Sequence, residues 1–242
     1  MSKLAPSQLK KSVNNSHLVR IEPEQWLTAT FARAAHLIDI VRFPDVDYPA
    51  LPPQEQNLLR QSQIEPGEVF RVLGYHEQHV LIMKSDQVVG WIMQSEAGIN
   101  PALTAFEPMI SAGQSAEDFF SVWKGVPYLW GGITVAGTDC SGLTQRYFRD
   151  VLNRGIPKNT FDQRRFGISK GLADLNADQA PRLATHDLIF CTRIGGPGTH
   201  HVGIYIDGEV WHANRDRGVI RQTLDQFLTT YQVLEVVDLL SD

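Results

Sequence analysis

Near the C-terminal end, Val202, Ile204 and Ile206 alternate with His201, Gly203 and Tyr205. A period of two is the signature of a strand with one buried face. Asp207-Gly208 follows, a strong signal for a two-residue hairpin turn. Such a turn pairs Ile206 with Glu209 and Tyr205 with Val210. Continued, it pairs Gly203 with His212 and His201 with Asn214. Opposed residues share a face, so His201 and His212 become diagonal neighbours. Their backbones then lie roughly 7–8 Å apart, within side-chain reach. Gly203, opposite His212, leaves space for its ring.

Upstream, Leu143, Tyr147, Phe148, Val151 and Leu152 recur at helical spacing. This predicts an amphipathic helix that starts near Cys140. Before it lie Trp130-Gly131-Gly132 and Gly137, a loop with little side-chain bulk. Ser115 stands three residues before Asp118 and ahead of Phe119, Phe120 and Trp123, a capping-box-like helix start. Residues 64–93 read as short strands. Val69 and Val72-Leu73 form one run, ended by a turn beginning at Gly74. Val80 to Met83 is a second run. A turn at Ser85-Asp86-Gln87 leads to a third, Val88 to Ile92. Strands at this spacing predict a small β-barrel or sandwich, with Trp91 in its core. Trp26 to Ile40 fits either a short helix or a strand pair. Phe43 to Pro53 holds four prolines and reads as extended or looped. Residues 1–16 are polar, and 98–115 read as a linker.

Composition narrows the function. The 242 residues are 43% hydrophobic and 20% charged, ordinary for a globular protein with room for two small domains. The net charge is −5 and there is no long basic run, so the footprint of a nucleic-acid binder is missing. No run of 18 apolar residues predicts a membrane span. The first twenty residues lack the apolar segment of a secretory signal, which favours a cytoplasmic location, with a periplasmic or secreted one as the alternative if a signal has been trimmed. Two cysteines do not make a disulfide framework.

Cys140 at a helix start is placed for nucleophilic chemistry. The helix dipole and unpaired backbone N–H groups favour the thiolate, which is the attacking species. The same N–H groups suit a tetrahedral oxyanion. His201 supplies a base, and His212 supplies a group to orient it, the logic of a catalytic triad. His200 falls on the other face by strand parity and reads as a solvated neighbour. Cys191 sits in an apolar strand and reads as core. Asp139 also suits a helix N-cap. Zinc ligation by Cys140, His201 and His212 is the competing chemistry, but no CxxC or HExxH spacing accompanies it. No metal or organic cofactor is expected.

The motifs carry a resemblance. YLWGG, then DCSG at a helix start, then HVGIY and WHA on consecutive strands resemble the NlpC/P60 family over roughly residues 115–240. Pro66 to Leu73 and Val88 to Ile92 resemble a bacterial SH3 (SH3b) domain. The resemblance implies an α+β architecture: an N-terminal extension (1–34), an SH3b-like β-barrel (35–98), a linker (99–114) and a papain-like catalytic domain (115–242). It implies Cys140 as nucleophile, His201 as base and His212 as the third member. Tyr128 then helps polarise the substrate carbonyl, and Asp139 and Ser141 contact substrate. Pro157 to Gln163 resembles a substrate-binding segment containing Asn159 and Thr160. Here Lys158 replaces the usual Arg and Asn159 the usual Asp. His186-Asp187-Leu188-Ile189-Phe190 resembles a family strand in which Gly is usual at the position of His186.

The implied substrate is a murein peptide cut after γ-D-glutamate. An SH3b domain ahead of the catalytic domain resembles γ-D-glutamyl-L-diamino-acid endopeptidases. That likeness implies an SH3b domain packed on the cleft, admitting peptides by a free N-terminal L-alanine, with Asp45, Asp47 and Tyr48 as candidate partners for its ammonium. The alternatives are a papain-like amidase or acyltransferase on another substrate, and a wall-binding module with a dormant site.

Overall fold

A computed structural model describes residues 25–44, 46–98, 102–109, 113–171, 183–196 and 200–241. The chain divides into two units, Met1–Met109 and Ile110–Asp242. In the first, β1 (Gln25–Arg33), β2 (Ile38–Val41), β3 (Arg60–Ile64), β4 (Val69–His76), β5 (His79–Met83) and β6 (Val89–Met93) form one sheet. Its order is β1-β4-β5-β6-β2-β3, and each pairing is antiparallel. The segment from Trp26 to Ile40 is thus two strands, each paired elsewhere in the sheet. Ala32, Ile38, Ile40, Ile64, Phe70, Val72, Val80 and Ile82 build the core. Trp91 is buried, its ring edge against His76.

Two expectations fail here. Gly74 does not begin a turn. It lies inside β4, where the register slips between Val72 and Gly74, and the strand runs on to His76. A residue without a side chain is tolerated at such a bulge. Pro53 does not close the loop either. It opens helix α1 (Pro53–Leu59), since proline is favoured at a first helical position, where an N–H is spare. Residues 102–109, expected as linker, include Phe106 edge-on to Phe31 at 5.4 Å and Glu107 paired with Arg33 at 2.8 Å.

The second unit starts with α2 (Ala116–Trp123), capped by Ser115, whose side chain accepts the N–H of Asp118. A small ribbon, β7 (Ile133–Thr134) and β8 (Gly137–Thr138), leads into α3 (Cys140–Leu152). Next come α4 (Thr160–Phe166), β9 (Ile168–Ser169), β10 (Leu188–Arg193), β11 (His200–Ile206), β12 (Glu209–Asn214), β13 (Gly218–Thr223), α5 (Leu224–Leu228) and β14 (Tyr231–Asp238). The sheet order is β13-β12-β11-β10-β14-β9. The Asp207-Gly208 hairpin forms with Ile206 opposite Glu209 and Tyr205 opposite Val210.

The two faces of this sheet differ. Val202, Ile204, Phe190 and Trp211 join Phe119, Phe120, Trp123, Leu143, Tyr147 and Phe148 of α2 and α3 in the main core. Burial of each large apolar side chain there is worth about 1.5–3 kcal/mol, which docks both helices on the sheet. Phe120 stacks on Trp211 at 3.9 Å. Ile189, Cys191, Val210, Phe227 and Tyr231 form a smaller cluster on the other side. Among the described residues no helix is long and apolar enough to cross a membrane.

Candidate active site

The nucleophile loop is built around Asp139. This residue caps α3, its Oδ1 accepting the Gly142 N–H at 2.7 Å. Its Oδ2 accepts the Gly131 N–H at 2.8 Å, tying the Trp130-Gly131-Gly132 turn to the helix start. Lys158, only 2% exposed, donates to both carboxylate oxygens at 2.9 Å and to Ser141 Oγ at 3.2 Å. Ser141 Oγ itself donates to Asp139 Oδ1 at 3.1 Å. The glycine of DCSG has a steric reason, because a Cβ on Gly142 would collide with the carbonyl oxygen of Gly132.

Cys140 is therefore held at the first position of α3, 6% exposed. Backbone N–H groups of Ser141 and Val202 point at its thiol, and Val202 is the residue after His201. Burial pushes the thiol up to about 11, and the charge of Asp139 acts the same way. The two backbone bonds and Lys158 oppose them. Helix-start placement predicted a favoured thiolate. Burial thus favours the thiol over the thiolate that the helix start implied.

The β11–β12 register runs from Ile206–Glu209 to Ile204–Trp211, and His201 and His212 meet just beyond it. His201 Nε2 lies 2.8 Å from His212 Nδ1, and the rings are nearly perpendicular. His212 is fully buried. Its Nε2 lies 2.8 Å from Gln222 Oε1, and its ring meets Phe227 edge-on at 5.1 Å. Tyr231 stacks on His201 at 4.8 Å. Burial first, then His212 and Arg215, hold His201 well below its ordinary value. Burial takes His212 down to about 4, with Arg217 adding to the drop and the Gln222 oxygen opposing it. Both imidazoles are neutral at pH 7. With both ring nitrogens of His212 engaged, it has none left for a metal. Among the described residues no group of three His, Cys, Asp or Glu side chains is arranged to hold one.

The other predicted residues fall in several places. Tyr128 is half-buried and bridges to Thr138, with the Arg215 guanidinium 5.9 Å above its ring. Burial, then Cys140 and Asp139, hold its phenol well above the usual range, so it stays a hydrogen-bond donor. Asn159 is exposed at the N-cap of α4, its amide donating to Asp162 at 3.3 Å, and Thr160 opens that helix. His200 is exposed, and Cys191 is fully buried opposite His201 in the β10–β11 register. In the first unit, the Tyr48 hydroxyl donates to Asp39 at 2.7 Å, Asp47 is exposed, and Asp45 lies outside the described residues.

His186 has φ of +83°, a left-handed conformation that suits the glycine usual there. Its Nδ1 shares a hydrogen bond with Tyr147 OH at 2.8 Å. Three site neighbours escaped the sequence reading: Arg215, Gln222 and Tyr231. Gln222 required the register of a second hairpin, β12–β13. Tyr231 required knowing that β14 crosses to lie beside β10.

The second unit thus belongs to the class that sets a helix-start cysteine against the histidine-bearing strands of an antiparallel sheet. The NlpC/P60 family model matches residues 125–237. A probable endopeptidase of Haemophilus influenzae is 32% identical over 120 residues, which cover 49% of this chain and 69% of that protein. The chain belongs to the NlpC/P60 family, a family of peptidases. It is also similar to murein DD-endopeptidase MepS/murein LD-carboxypeptidase of Escherichia coli, at 37% identity over 45% of this chain and 53% of that one. The γ-D-glutamyl-L-lysine dipeptidyl-peptidase of Bacillus subtilis is 35% identical over 42% of this chain and 32% of its own. The chain thus spans about half or less of these last two relatives. A solved NlpC/P60 family protein of Bacillus cereus shares the fold, with a TM-score of 0.64 at 18% identity. The match covers 87% of this chain and all of that one.

Proposed function

We propose that this protein is a cysteine endopeptidase that cleaves murein peptides after γ-D-glutamate, with Cys140 as nucleophile, His201 as base and His212 as the group that orients it. The observation carrying this reading is the 2.8 Å bond from His212 to His201, whose next residue, Val202, directs its N–H at the Cys140 thiol. Because thiol and imidazole both rest neutral, attack is a coupled step. His201 Nδ1 takes the thiol proton as Sγ bonds to the carbonyl carbon. The tetrahedral oxyanion accepts hydrogen bonds from backbone N–H groups at the start of α3 and from the Tyr128 phenol. His201 then gives its proton to the leaving amine, and a thioester remains. Water activated by His201 cleaves the thioester and returns the thiol.

Asp139, Ser141, Asn159 and Thr160 surround this site in our reading. Asp139 acts mainly as scaffold, because its oxygens are already committed to Lys158, Gly131 and Gly142. We read the first unit as an SH3b-like domain. The likeness to a γ-D-glutamyl-L-lysine dipeptidyl-peptidase supports the bond after γ-D-glutamate. The likeness to a murein DD-endopeptidase supports a second substrate, a D,D-cross-linked murein dimer.

The test is incubation with L-Ala-γ-D-Glu-diaminopimelate, its N-acetylated form and a D,D-cross-linked dimer, read by mass spectrometry against Cys140→Ala. We expect release of L-Ala-γ-D-Glu from the free peptide, little from the acetylated one, and none with Cys140→Ala. Equal kcat/KM for free and acetylated peptide removes the free-N-terminus requirement. Cleavage of the dimer alone moves the specificity to the D,D bond. Cleavage by Cys140→Ala sinks the cysteine mechanism.

A further inference from the structure

We infer that Gln222 is a positioning residue that sets the order of protons along His212 and His201, leaving Nδ1 of His201 with a free lone pair. This rests on the catalytic reading of Cys140 and His201. The argument runs from the outside inward. Gln222 Oε1 lies 2.8 Å from His212 Nε2, and a carbonyl oxygen only accepts. His212 Nε2 must then carry the proton. A neutral imidazole has one proton, so His212 Nδ1 is an acceptor. His201 Nε2, 2.8 Å away, must donate to it. The single proton of His201 is thereby placed on Nε2, and Nδ1 is bare. Turning the amide around reverses each step. Its NH2 would donate to His212 Nε2, the His212 proton would move to Nδ1 and point at His201, and His201 would hold its own proton on Nδ1. That tautomer has no lone pair for a thiol proton. The orientation of one amide thus decides whether His201 can act as a base.

The surroundings make the ordering necessary. His212 is fully buried, with Phe227 and Tyr231 edge-on to its ring, and its two ring nitrogens face His201 and Gln222. Gln222 pairs with Val210 and Ile220 with His212 across β12–β13, so Gln222 is the diagonal neighbour of His212 on one face. The next residue, Thr223, caps α5 in a reciprocal box with Gln226, which holds the end of β13 in place. Arg215 and Arg217 are the charged groups acting on the pair, and both disfavour an extra proton. Cys191 and Tyr231 nearby are held in their uncharged forms by burial. The relay therefore works between neutral tautomers, where order along the chain matters most.

The experiment compares the full chain with Gln222→Met, which keeps the volume but removes the acceptor, and Gln222→Glu, which restores one. Long-range 15N–1H correlation at neutral pH assigns the proton-bearing nitrogen of each ring. Turnover of the cleaved murein peptide gives kcat and KM. The expected result is Nε2-protonated His201 and His212 in the wild type and mixed tautomers in Gln222→Met. The Met variant should lose kcat roughly 10–100-fold, the scale on which outer hydrogen-bond partners act, with KM unchanged. Gln222→Glu should recover the tautomer order and most of kcat. A wild-type His201 protonated on Nδ1 overturns the inference whether or not any variant folds. So does a folded Gln222→Met with wild-type tautomers and kcat. If Cys140→Ala is inactive in that same assay, only the role of Gln222 has failed. If Cys140→Ala is active, the catalytic reading has failed, and the ring spectra still report the proton order.

Discussion

Both units carry a six-stranded antiparallel sheet and both bury a lysine, yet their polar interiors are arranged differently. In the first, Lys84 donates to the Gln63 carbonyl at 2.8 Å and pairs with Glu68 and Asp86, and Arg60 pairs with Asp39. Those charges join β3 to the β5–β6 connection and, through Asp39, reach the Tyr48 hydroxyl. In the second unit Lys158 closes on Asp139 and Ser141, side chains that flank a thiol. Beside it runs a chain of neutral bonds, Gln222 to His212 to His201, that stops at one ring nitrogen. The first network is one of paired charges, whereas the second ends on a neutral ring. In the proposed proton order this open chain leaves His201 Nδ1 as an acceptor for the thiol proton.

The contrast is most exposed at the two cysteines. Cys140→Ala should remove activity by at least 10³-fold, because nucleophile, base and orienter act as a unit. Cys191→Ala, on the aromatic face of the sheet, should stay within a few-fold of wild type at a temperature where both are folded. Measured kcat/KM that falls equally in both would end the distinction. His201→Ala should be as inactive as Cys140→Ala, and His212→Gln should keep part of the activity, since an orienter needs only a hydrogen-bonding group.

The lysines come next. Lys158→Met and Lys84→Met each strand a buried carboxylate, and each should cost about 3–5 kcal/mol in denaturant unfolding. Only Lys158→Met should also lower kcat in the folded enzyme, because Asp139 caps the helix that presents Cys140. An equal loss of kcat in both would mean that the two networks do not differ in role.

The open chain should also weaken in acid. His212 sits at about 4 when folded, against an ordinary value near 6.5 in the unfolded chain. As pH falls from 6.5 towards 4, the unfolded state gains the proton first, so stability is lost across that window and is complete above it. The loss from His212 should be of order 3 kcal/mol, and the depressed His201 adds in the same direction. Thermal unfolding of wild type against His212→Asn between pH 4 and 7 measures it, and parallel curves would contradict the burial argument.

The smallest effect belongs to His186. Its left-handed backbone costs on the order of 1 kcal/mol, while the bond to Tyr147 OH returns a similar amount. His186→Gly should therefore shift stability by less than about 1 kcal/mol in chemical unfolding. A much larger loss would show that the Tyr147 bond is part of a cooperative network.

What the sequence by itself determined is local or periodic. The alternation of Val202, Ile204 and Ile206 and the turn at Asp207-Gly208 defined a hairpin, and with it the face shared by His201 and His212. The spacing from Leu143 to Leu152 defined a helix beginning at Cys140, and Ser115 marked the start of another. These features depend on neighbours a few residues apart, so composition and spacing suffice. The helix from Pro53 to Leu59 was not legible, because PQEQNLL has no apolar stripe and its first proline reads as a breaker as readily as a starter. Tertiary structure alone decided the rest. It joined Lys158 to Asp139 across 19 positions, set Tyr231 against His201, and turned the Gln222 oxygen towards His212. It also raised Cys140 and lowered both histidines through burial, against what helix-start placement implied for the thiol. Desolvation is a property of everything packed around a group, and no window of sequence contains it.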